Sequence, residues 1–149
     1  MSLKEKIKDD IKQAMRDKNE SRLSTLRMLA AAIQRREVDE RIQLDDTQVI
    51  VVIEKLVKQG RESIEQYVKG GRQELADKES GEIAVYQAYL PQQLTEAEID
   101  KFIAEAIASA GASSIKDMGK VMGVLKPKLQ GRADMGQVGS KVKTKLGAA

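Results

Sequence analysis

From Val49 to Val68 the apolar residues return every three or four positions: Val49, Ile53, Leu56, Val57, Gly60, Ile64, Tyr67 and Val68. On a helix they share one face; on a strand they would be split between two. Asp45, with Gln48 three residues on, supplies the side chains of a helix start, and Gly70-Gly71 supplies its end. The stretch Ile50–Val57 is β-branched enough to suggest a strand, but the longer stripe around it predicts a helix. Gly60 lies on the stripe, where glycine costs about 1 kcal/mol relative to alanine. The position predicts the close approach of another backbone.

The same period governs the rest of the chain. Ser2 and Glu5 form a capping-box pattern ahead of Leu3, Ile7, Ile11, Ala14 and Met15, which predicts a helix over 3–16. Residues 22–38 carry apolar residues over a broad arc, which predicts a central helix. A fourth helix holds Leu75, Ile83, Tyr86 and Leu90, with Gly81 as a weak point. No segment alternates in the strand manner and no fixed repeat appears. The expected fold class is all-α.

The segment YLPQQLTEAE (89–98) interrupts this pattern. Pro91 disfavours helix at Leu90, and Thr95 with Glu98 opens a new capping box. The expectation is an N-terminal four-helix domain over 1–90 and a small three-helix C-terminal domain over 95–149. In the second, Ile99 to Ile107 form the first stripe, stopped by Gly111. Ile115 to Leu125 form the next, with Pro127 expected to kink or restart it. The last begins after Asp134.

The chain has no cysteine and no histidine. Disulfides, the usual zinc sites and Ser-His or Cys-His nucleophile pairs are therefore unavailable. No apolar run is long enough to span a bilayer, and the charged N-terminus is not a secretory signal. The expected compartment is the cytoplasm, with no metal and no cofactor.

Charge is unevenly placed. Residues 111–149 hold eight Lys and Arg against Asp117 and Asp134, a net of +6 in a chain of +3, so residues 1–110 carry −3. A basic segment on a small helical module fits a polyanion. Lysines that merely solvate helix faces give a competing explanation. Gly131 and Gly136 have the glycine spacing of a phosphate-binding loop. Gln137 and Val138 stand where that loop needs Lys and Ser or Thr, and no strand precedes it. The alternative is a helix N-terminus after Asp134, loosened by Gly136 and Gly139, that meets an anion through free N–H groups. Tight packing would explain the same glycines. Tyr67, Tyr86 and Tyr89 are expected at core edges.

The strings RLSTLRMLAAAI, KQGRESIEQY, YLPQQLTEAEI and DMGKVMGVLKPKLQGRAD together resemble the YqeY-like family over essentially the whole chain. The last string also looks like the tail of the B subunit of glutamine-dependent, tRNA-dependent amidotransferases. The pattern departs from the family at MGQVGS after GRAD, and at Gly60, where a bulkier residue is expected. The resemblance implies a two-part helical fold whose tail-type module binds tRNA, a module also fused to some glutaminyl-tRNA synthetases. The family label carries carbon–nitrogen ligase activity with glutamine as amido donor. In those enzymes the glutaminase is another subunit and the activating site lies in a large catalytic domain, neither of which 149 residues contain. The expected function is a non-catalytic tRNA-binding accessory protein serving an amidotransferase or an aminoacyl-tRNA synthetase. The expected contacts are Lys120, Lys126, Lys128, Arg132, Lys141 and Lys145. The alternatives are a helical protein–protein adaptor and a subunit that contributes to amide transfer in trans.

Overall fold

The structure, a computed structural model, describes residues 1–147. Among them stand seven α-helices, one 3-10 turn and no strand. The chain divides into two compact units, Met1–Leu90 and the part from Pro91 onward. The first holds α1 (Leu3–Arg16), α2 (Glu20–Glu40), α3 (Asp46–Lys69) and α4 (Gln73–Gln87). The second holds α5 (Glu96–Ala110), the 3-10 turn (Ile115–Asp117), α6 (Met118–Leu129) and α7 (Met135–Gly147).

Short polar side chains start several of these helices. The Ser2 hydroxyl accepts from Glu5 N while the Glu5 carboxylate accepts from Ser2 N. Asp45 and Gln48 make the same reciprocal pair at α3. Asn19 caps α2, which begins two residues earlier than its apolar pattern. Thr95 accepts from Glu98 N, but the Glu98 carboxylate turns to the Thr95 hydroxyl, so this box is only half made. Each cap satisfies an N–H that the helix itself cannot.

The first unit buries Ile7, Leu26, Leu29, Val49 and Ile53. α2 packs against α1, α3 and α4, as its broad apolar arc requires. Tyr86 and Tyr89 close the same core. Burial, with the charges of Glu82 and Glu79, pushes the Tyr86 hydroxyl up to about 12. The Tyr89 hydroxyl donates to Asp10 at 2.5 Å and fastens the end of the unit to α1. Thr25 is buried and donates back to the Ser21 carbonyl at 3.1 Å.

One local expectation needs correction and another is narrowed. Gly60 is approached by a side chain, not a backbone: a Cβ there would lie 2.9 Å from Ile83 Cγ1 and 3.0 Å from Cδ1. Pro127 does not restart its helix, since α6 runs through it to Leu129. The proline lies in the last turn of the helix and removes one N–H, the one that would reach the Gly123 carbonyl.

Candidate nucleic-acid interface

α6 and α7 each bury a stripe with a spacing of four: Val121, Leu125 and Leu129 on α6, and Val138, Val142 and Leu146 on α7. Together with Ile103 and Ala106 of α5 they form the core of the second unit. That core fixes the side on which each cation leaves its helix.

The six predicted contacts do not converge on one point. At about 100° per residue, Lys126 and Lys128 leave α6 on opposite sides, both exposed. Lys120 and Lys126 flank the arc opposite Leu125. This arc, about 120° wide, also holds Gly119, Gly123 and Pro127, all exposed. Lys116, on the 3-10 turn one turn ahead of Lys120, is exposed as well. α6 itself carries no acidic residue. At its entrance Asp117 accepts from Ser113 N at 3.0 Å. This bond, helped by Lys120, holds the Asp117 carboxyl below the usual carboxylate range.

On α7, Lys141 and Lys145 share one edge, a helical turn apart. Lys141 Nζ lies 3.1 Å from Asp100 Oδ1 of α5. Among the described residues it is the only one of the six cations in an ion pair. Both partners are partly exposed, so the pair contributes little to stability, but it turns Lys141 toward α5.

Arg132 is half-buried and tied to the segment that opens the unit. Its backbone carbonyl accepts from Leu94 N at 2.9 Å. Its Nε donates to the Gln92 carbonyl at 3.4 Å, and Gln93 Nε2 donates to the Gly131 carbonyl at 2.7 Å. Gly131 makes the turn possible with a φ of +80°. Residues 92–94 and 131–132 therefore form a latch. Sequence reasoning missed it, reading the first segment as a junction and Arg132 as a free contact. The partners lie about forty residues apart, beyond any local pattern.

The anion-binding reading of the last helix start is also corrected. Asp134 Oδ1 accepts from Gly136 N at 2.9 Å and from Gln137 N at 3.3 Å. Two of the N–H groups at that helix start are thus taken by a carboxylate, whose charge repels a phosphate. A Cβ on Gly136 would stand 3.2 Å from the same Asp134 oxygen, which gives that glycine a packing reason.

The chain matches the family described as "Yqey-like protein" over residues 4–146. It is similar to proteins named "Altered inheritance of mitochondria protein 41, mitochondrial" in several fungi. The match in Eremothecium gossypii is 38% identical over 113 residues, 71% of this chain and 62% of that protein. In Vanderwaltozyma polyspora it is 30% over 120 residues, 75% of this chain and 64% of the relative. In Pyrenophora tritici-repentis it is 30% over 146 residues, 96% and 80% respectively. The chain thus spans less than two thirds of the length of the first two relatives. Among the described residues no helix is long and apolar enough to cross a membrane.

Proposed function

The chain belongs to the YqeY-like family, and from that premise we propose that it is a non-catalytic tRNA-binding accessory protein. Its second unit, a three-helix module, grips the RNA backbone through lysine side chains. Its first unit serves as a rigid base or docks an amidotransferase or an aminoacyl-tRNA synthetase. The observation that carries this reading is that Lys120, Lys126, Lys128 and Lys145 are exposed and have no ion-pair partner among the described residues. Charge that no neighbour neutralises is free to replace the counterions of a phosphate chain. Arg132 and Lys141 contribute from the margins, one held by the latch and the other by Asp100. Contacts of this type position a nucleic acid without reading its sequence.

The relatives are named as mitochondrial, whereas composition suggested the cytoplasm. Both compartments contain tRNA, and the proposed contact is the same in either. The test is titration of an end-labelled tRNA transcript with the full chain at several salt concentrations. Binding that weakens steeply with salt supports the reading; absence of binding at low salt refutes it.

The adaptor reading has an observation of its own. α2 exposes Met28 (42%) and Val38 (67%). Beside it a groove of about 580 Å³ between α2 and α3 is lined by apolar Val51 and Leu56 together with charged Arg35, Asp39 and Lys55. Partners retained on the immobilised chain after nuclease treatment favour this second reading.

A further inference from the structure

We propose that the outward arc of α6, with Lys116, is the surface on which the RNA sugar–phosphate backbone lies directly against the helix. This rests on the tRNA-binding reading above and specifies its contact face.

The charge pattern carries the inference. Lys116, Lys120 and Lys126 are exposed around one arc of a helix without acidic residues. The nearest carboxylate, Asp117, is engaged by Ser113 N. Lys128 and Lys145 lie off this arc and Lys141 is turned to Asp100, so the arc gathers three exposed lysines that form no ion pair among the described residues.

The floor between them is independent of the charge. Gly119 and Gly123 sit one turn apart within α6, and a Cβ on either would meet nothing within 4 Å. Gly123, inside the helix, weakens it relative to alanine, and at neither position does internal packing account for the glycine. Gly60 contrasts with them, because its missing Cβ makes room for Ile83. Without side chains at 119 and 123, an approaching strand reaches the helix backbone while the lysines close over its phosphates from both sides.

Openness alone does not mark the face. Gly81 on α4 is equally open, but its one neighbouring lysine, Lys78, is outnumbered by Asp77 and Glu82, so the charge around it does not favour an anion.

The test compares the full wild-type chain with the G119A/G123A double variant and with G81A, titrating an end-labelled tRNA transcript at fixed salt and then across salt. The proposal expects G119A/G123A to bind about tenfold more weakly, the loss of roughly one charge-assisted contact. Its salt slope stays near that of the wild type and its thermal midpoint rises. G81A raises the midpoint without changing affinity. Opposite movements of stability and affinity exclude misfolding as the cause. Wild-type binding that G119A/G123A leaves unchanged or strengthens overturns the face while sparing the tRNA reading. No wild-type binding at low salt overturns both.

Discussion

Replacing Gly60 by alanine places a methyl 2.9 and 3.0 Å from two carbons of Ile83. Carbon pairs prefer about 3.5–4.0 Å, so Ile83 must move by about half an ångström or more. It cannot do so freely: it is 7% exposed and packed in the first core, and its β-branched side chain is stiff at χ1. Overpacking of this kind costs about 1–3 kcal/mol, against about 1 kcal/mol gained from helix propensity. The net expectation is a loss of about 1 kcal/mol. Gly81→Ala gains the same propensity with nothing in its way, so it should stabilise by about 1 kcal/mol. Urea unfolding followed by circular dichroism reads both, and in a unit of this size 1 kcal/mol moves the thermal midpoint by about 4–8 °C. In an Ile83→Ala background the obstruction is gone, and Gly60→Ala should reverse sign and stabilise. The cycle should show a coupling of about 2 kcal/mol. Equal stabilisation by G60A and G81A, or a G60A effect indifferent to residue 83, would refute the packing argument.

Other expectations follow from single contacts. Tyr89→Phe removes the bond to Asp10 and should lower the stability of the first unit by about 1 kcal/mol, read by urea unfolding. Glu82 has its carboxyl raised above the usual range, first by burial and then by Glu79. A raised carboxyl favours the fold at acid pH and loses that contribution as pH climbs through its folded value. Glu82→Gln should therefore raise the thermal midpoint at pH 7 and change it little at pH 3. Lys120→Gln and Lys126→Gln should each flatten the salt dependence of tRNA binding by somewhat less than one unit of slope; Lys141→Gln, already paired with Asp100, should flatten it less.

Much of this molecule is legible in the residues because helix period and capping are local. The stripe from Val49 to Val68 and the Ser2–Glu5 box need no knowledge of the rest of the chain. What a stripe faces is not local. Gly60 could be read as a place of close approach, but whether backbone or side chain comes near depends on how α4 is turned. The candidate site divides in the same way. That charge gathers after residue 110 is plain in the sequence, and a spacing of two already separates Lys126 from Lys128. That Arg132 is latched to Gln92, and Lys141 drawn to Asp100, depends on contacts spanning about forty residues. Asp134 was recognisable as a cap, yet the bonds that make it a cap occupy Gly136 N and Gln137 N and put a negative charge where an anion would sit.

Fluorescence anisotropy of a labelled tRNA transcript against the full chain, repeated from 50 to 300 mM salt, bears most directly on function. The four unpaired contact lysines of the second unit predict a straight line of log affinity against log salt, falling with a slope of about −3 to −4 for four phosphate contacts. Affinity independent of salt, or none at the lowest concentration, would contradict it.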